Sequence, residues 1–158
     1  MTTFTKWFLL NAVMVTAIFF AETKGAISLM VSNDVSYLTI VIMILYVIVS
    51  GMVGRLCYCA DRADGNAIKD QEERDRLSRR AEVGWFAAEH FFSLGLLGTV
   101  FGLCVATATN LDENAQVSTI GAGLKTGLNT AFYTTICGIV FSLPLQAQLM
   151  ILRFKLEE

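Results

Sequence analysis

Apolar residues along the chain gather into four runs separated by polar ones. They cover 7–21 ("WFLLNAVMVTAIFFA"), 35–54 ("VSYLTIVIMILYVIVSGMVG"), 85–107 ("WFAAEHFFSLGLLGTVFGLCVAT") and 126–152 ("TGLNTAFYTTICGIVFSLPLQAQLMIL"). A helix crossing the hydrocarbon core needs about 20 such residues, so the pattern predicts an all-α membrane protein with four transmembrane helices. The first run, closed in by Lys6 and Glu22, is short and would rely on snorkelling flanks or a locally thinned bilayer. Lys6 ahead of it also reads as the start of a signal peptide, against which the poor small-x-small cleavage pattern weighs.

Composition agrees: of the 158 residues 54% are hydrophobic, only one is proline, and the mean hydropathy is +0.57, well above an ordinary soluble domain. The basic residues supply the orientation. Arg55, Arg62, Lys69, Arg74, Arg76, Arg79 and Arg80 lie between the second and third runs, Arg153 and Lys155 after the fourth, and Lys6 before the first. Only Lys24 and Lys125 lie in the other two loops. The positive-inside rule then puts both termini and the 55–84 loop in the cytoplasm, with 22–34 and 108–124 facing out. The chain divides into a hairpin over 1–58, a short charged helical segment over 59–84, and a second hairpin over 85–158.

In the charged segment Asp70 and Arg74, Glu72 and Arg76, and Asp75 and Arg79 are acid-first i,i+4 pairs, which support an exposed helix. "AIKDQEERDRLSRRAEVG" therefore predicts a solvated helix feeding the third span, either as a plain solvated face or as a partner surface.

The net charge of -2 offers nothing to nucleic acid. Cys57 and Cys59 end the second span while Cys104 and Cys137 lie inside spans, a spacing that fits no metal site or disulfide framework. They read as structural thiols, with lipidation of the first two as the alternative. With one histidine, no nucleophile beside a base and no phosphate-binding fingerprint, the expectation is a protein that is not an enzyme and carries no cofactor or metal.

What remains distinctive is small residues where lipid would favour large ones. Gly95, Thr99, Gly102 and Ala106 share one face of the third span, and Gly127, Ala131, Thr135, Gly138 and Ser142 one face of the fourth. Counted from the outer ends, Thr99 and Thr135 come to nearly the same depth. Close helix packing explains small faces; a narrow passage in which hydroxyls hold water or relay a proton explains the matched threonines as well.

"LGLLGTVFGL" (94–103) and "GLKTGLNTAFYTTICGIVFSLP" (123–144) resemble the paired pore helices of the MotA/TolQ/ExbB proton-channel family, over residues of about 91 to 150. The four-span topology is similar to the MotA branch. The resemblance implies a stator-like subunit of an ion-driven motor in the bacterial inner membrane. Helices three and four would line the central pore of a homo-oligomer, a pentamer in the family's manner, with the first hairpin peripheral. Two copies of a single-span partner similar to MotB, TolR or ExbD would carry the membrane Asp. It further implies that Thr99, Thr135, Thr134, Thr130 and Ser142 line the pathway. Gly95, Gly98, Gly102, Gly127 and Gly138 would pack the helices, and Pro144 would bend the fourth span.

Phe92 replaces the proline that many members carry before the third-span glycine, and Thr130 stands where TolQ-like and ExbB-like members have glutamate. Only neutral hydroxyls remain on the pore face, which favours protons over sodium. Glu89 and His90, at the inner entrance of the third span, are candidates for the cytoplasmic exit or for headgroup anchoring; Lys125 reads as an interface anchor. The short cytoplasmic part favours a compact motor working through its partner, as in TolQ and ExbB, over a flagellar role. The rival expectation is a non-conducting scaffold that associates through its glycine faces.

Overall fold

A computed structural model describes residues 2–64, 71–108 and 117–157, and among them every regular element is helical. In order these are α1 (Thr3–Thr23), α2 (Ala26–Asn33), α3 (Leu38–Asp64), α4 (Gln71–Ala108) and α5 (Val117–Glu157). Four of them, all but α2, are long and apolar enough to cross a membrane. Three differ from the sequence boundaries. α1 has 21 residues, about 31 Å at 1.5 Å per residue, and extends the apolar run 7–21 by a polar first turn that includes Lys6. The 22–34 loop contains α2, which follows Gly25 at φ +69°, a left-handed conformation natural to glycine. α5 starts at Val117 instead of 126 and stays helical through Pro144. That proline removes one ladder hydrogen bond without ending the helix.

The charged segment and the third span form one rod from Gln71 to Ala108. The pairs Asp70–Arg74 and Glu72–Arg76 fall wholly or partly outside the described side chains, as do residues 65–70 and 109–116; Asp75 and Arg79 are exposed. At about 57 Å for α4 and about 62 Å for α5, both helices are much longer than a hydrocarbon core of about 30 Å.

α4 and α5 run antiparallel, and α5 touches all four other helices. The seam repeats at alternating threes and fours. Leu77, Ala81, Gly84, Ala88, Phe91, Gly95, Gly98, Gly102 and Ala106 are the buried positions of α4. Opposite them lie Gly127, Ala131, Thr134, Gly138, Phe141, Leu145, Leu149 and Leu152. Such spacing keeps one face of each helix on its neighbour over many turns. Residue size changes along it. Toward Ala106 the contact is backbone on backbone; toward Leu77 it is leucine from α5 against small residues of α4, as where Leu149 covers Gly84.

α1 is held mainly at its first turns. Asp61, near the end of α3, accepts the backbone N–H of Thr3 (3.0 Å) and Phe4 (2.7 Å), satisfying donors that a helix start otherwise leaves open. The Trp7 ring lies on Gly54, where any Cβ would collide with it. Its indole N–H reaches the Ser50 carbonyl and the Gln148 Oε1, both at 3.2 Å. Gln148 is fully buried. Its Oε1 also accepts from Ser50 Oγ (3.0 Å), and its Nε2 donates to Tyr46 OH (3.3 Å) and Asn11 Oδ1 (3.4 Å). Every polar end of the amide is thus engaged, as a buried polar group requires.

Candidate functional site

The glycines on the two small faces allow the α4 and α5 backbones to touch. A methyl group on Gly138 would lie 2.7 Å from the Phe91 carbonyl oxygen and 3.0 Å from Gly95 Cα, and one on Gly95 would lie 3.1 Å from the Thr134 carbonyl oxygen. A Cβ on Gly102 or Gly127 would run into the backbone of the other, and one on Gly98 into the Thr134 side chain. These five glycines pack helices within one chain, so the seam consumes the faces by which a scaffold would associate.

Beside this contact sit Thr99 and Thr135, half-buried, with their hydroxyl oxygens 2.5 Å apart. The equal depth expected from counting residues is realised as a direct hydrogen bond. The surroundings are nearly two-fold. Thr99 Oγ1 is 3.2 Å from the Gly95 carbonyl on its own helix and 3.5 Å from that of Ala131. Thr135 Oγ1 is 2.9 Å from Ala131 O on its own helix and 3.3 Å from Gly95 O. A threonine hydroxyl has one proton to donate and two lone pairs. The pair therefore holds two protons for five hydrogen-bonding contacts, and swapping donor and acceptor moves no heavy atom. Leu96, Val100, Phe132 and Ile136 around it are exposed, so the two hydroxyls form a polar spot on an apolar face.

The other hydroxyls expected on the pathway point inward within the chain. Thr134 is buried and donates to the Thr130 and Ala131 carbonyls (2.9 and 3.2 Å). Thr130 is buried where α5 meets the α2–α3 turn; it donates to the Asn33 carbonyl at 3.2 Å and accepts Val35 N–H at 3.3 Å. Ser142, also buried, donates to the Ala88 carbonyl at 2.8 Å, tying α5 to α4. Alternation of small residues located the seam, but two adjacent threonines on a helix differ by about 100°, and only packing decides which of them turns in.

At the other end of α4, Glu89 and His90 are exposed. His90 donates Nδ1–H to the Phe86 carbonyl (2.7 Å) and stacks on the Phe86 ring at 3.8 Å. A carbonyl can only accept, so Nδ1 bears the proton of this contact. His90 precedes Thr99 by nine residues, about two and a half turns, and so faces away from it; Glu89 lies nearer its side. Lys125 is exposed and Pro144 half-buried.

Sequence reading missed three groups. The cluster of Trp7, Asn11, Tyr46, Ser50 and Gln148 joins residues as far as 141 positions apart, and isolated polar residues in apolar runs were the only signal. Asp61, already described, is the second. Asp34 is the third: it accepts Ser36 N–H, Ser36 Oγ–H and Thr39 N–H at 2.9, 2.6 and 2.9 Å, and so caps α3. Burial would raise its pKa, but these hydrogen bonds outweigh burial and hold the carboxyl below its ordinary value.

No curated protein and no solved structure matches the chain. The family model described as the MotA/TolQ/ExbB proton channel family matches residues 66–158, more than half of the chain, including all of α4 and α5 as described. With the glycine seam and its threonine pair inside the matched residues, the chain belongs to the MotA/TolQ/ExbB proton channel family.

Proposed function

We propose that the chain is the proton-conducting, stator-like subunit of an ion-driven motor in the bacterial inner membrane. Copies assemble as a homo-oligomer, a pentamer in the manner of the family, with the α4–α5 seam on the inner wall and α1 and α3 toward lipid. A single-span partner of the MotB, TolR or ExbD kind, present as a dimer, brings the membrane Asp. Proton flow past that carboxylate drives rotation or force transmission. The observation that carries the reading is the Thr99–Thr135 pair at 2.5 Å, half-open on an apolar face.

The pair contributes hydroxyls that donate or accept without moving, so they follow a carboxylate as its charge changes. Neutral hydroxyls alone hold no net charge, and for that reason the ionisable group comes from the partner. Protons are favoured over sodium because the spot offers two hydroxyls and no carboxylate of its own. On the inner side Glu89, nearer the threonine side of α4, is the better exit than His90. Thr130, Thr134 and Ser142 take a positioning role, holding α5 against the α2–α3 turn and α4.

The test is proton uptake by liposomes containing the chain with its partner, scored together with oligomer yield. Thr99→Val and Thr135→Val keep shape and are expected to assemble but conduct poorly, whereas Gly98→Leu abolishes assembly. Full uptake by the double valine variant removes the pathway reading, and flux that follows sodium and ignores pH reverses the ion.

A further inference from the structure

One stripe of α3 lies outside the seam and meets α1 at Tyr58, against the Phe4 ring. Ile44, Ile48, Gly51, Arg55, Tyr58 and Arg62 follow one another at spacings of four and three, and all six are exposed. Such spacing puts them on a single face. The stripe is apolar at one end and cationic at the other. From Arg55 to Ile44 it covers about 17 Å at 1.5 Å per residue, close to half of a hydrocarbon core of about 30 Å.

Gly51 lies between the two parts. A glycine inside a helix is less stable there than alanine and is normally explained by close approach. Gly54, one turn on, has that explanation in the Trp7 ring, but a Cβ on Gly51 would meet nothing within 4 Å. It leaves an open notch in the apolar surface just below the cationic end.

Asp61 turns both carboxylate oxygens to the N–H groups of Thr3 and Phe4, and the charged side chains of the stripe itself are Arg55 and Arg62. The Phe4 ring, edge-on to Tyr58 at 5.9 Å, walls one side of the cationic end. Guanidinium groups suit bidentate recognition of phosphate, and a tyrosine hydroxyl at the water interface adds a donor.

We infer that this stripe binds one anionic phospholipid of the adjoining leaflet, its phosphate on Arg55, Arg62 and Tyr58 and an acyl chain in the Gly51 notch along Ile48 and Ile44. The bound lipid anchors α3 and, through Asp61 and Phe4, the start of α1. The site lies outside the proposed proton pathway and is independent of it.

Native mass spectrometry of the purified protein, titrated with dioleoyl phosphatidylglycerol or dioleoyl phosphatidylcholine, tests the site. The anionic lipid is expected to bind more tightly, and Arg55→Gln with Arg62→Gln to weaken it roughly thirtyfold, given the attraction each surface cation contributes. Gly51→Leu fills the notch and weakens both lipids, while Arg79→Gln with Arg80→Gln, on α4, changes neither. Thermal unfolding of each variant confirms that the fold persists. Equal binding of the two lipids, no loss in the double arginine variant, or displacement by inorganic phosphate alone overturns the proposal. So does efficient cross-linking of Gly51→Cys between copies, which would make the stripe a contact of the chain with itself.

Discussion

A single methyl group at Gly138 is the most direct perturbation of the seam. In Gly138→Ala the added carbon starts 2.7 Å from the Phe91 carbonyl oxygen and 3.0 Å from Gly95 Cα. Carbon pairs rest at about 3.5–4.0 Å, so the helix axes must part locally by roughly 0.5–1 Å. Both opposing atoms are backbone and cannot rotate away as a side chain would. Overpacking of this kind costs about 1–3 kcal/mol, and rigid opposition puts Gly138→Ala in the upper half. The same substitution at Gly51, where nothing lies within 4 Å, meets no obstacle and gains roughly 0.5–1 kcal/mol of helix propensity. Unfolding of the purified protein in mixed micelles with rising dodecyl sulfate, followed by tryptophan emission, reads both changes against wild type. The seam also sets the 2.5 Å spacing of Thr99 and Thr135. Gly138→Ala is therefore expected to lower proton uptake while both threonines remain. Equal stability of Gly138→Ala and wild type would refute the account of the seam.

Gln148→Leu removes an amide to which Trp7, Asn11, Tyr46 and Ser50 are all bonded; a loss of about 1–2 kcal/mol, typical when buried partners are left unpaired, is expected in the same unfolding assay. Asp61→Ala takes the acceptor from Thr3 and Phe4 N–H, costs about 1 kcal/mol as cap removals do, and should raise hydrogen exchange at the start of α1 selectively. Asp34 has a folded pKa below its ordinary 3.8, so its contribution is complete above that value and is lost as pH falls through the lowered folded pKa. Thermal unfolding measured from pH 6 downward should show an acid-side fall that is shallower in Asp34→Asn; parallel curves would argue against the cap.

Much of this protein is local in its physics and so was legible in the chain. Four apolar runs must become helices if they enter lipid, since only an internally bonded backbone is tolerated there. Acid-first pairs at i,i+4 favour a helix in the charged segment, and among the described residues α4 runs unbroken from Gln71. Small residues at threes and fours marked close approach, and the threonine among them, with its spacing to the fourth span, marked the family. The family match extends from residue 66, further toward the N-terminus than the motif pair that suggested it.

What a glycine approaches is not local. Glycine reports room for a neighbour and not the neighbour's identity, so only the fold showed that the two small faces meet each other within one chain. The same limit hid which of Thr134 and Thr135 turns inward: they are adjacent and chemically alike, and the α2–α3 turn against Thr130 and the contact of Gly98 with Thr134 decide it. Asn11, Ser50 and Gln148 looked like isolated polar residues in apolar runs. Each is affordable in a membrane only because three helices bring their hydrogen-bonding ends together, a condition that no window of sequence contains.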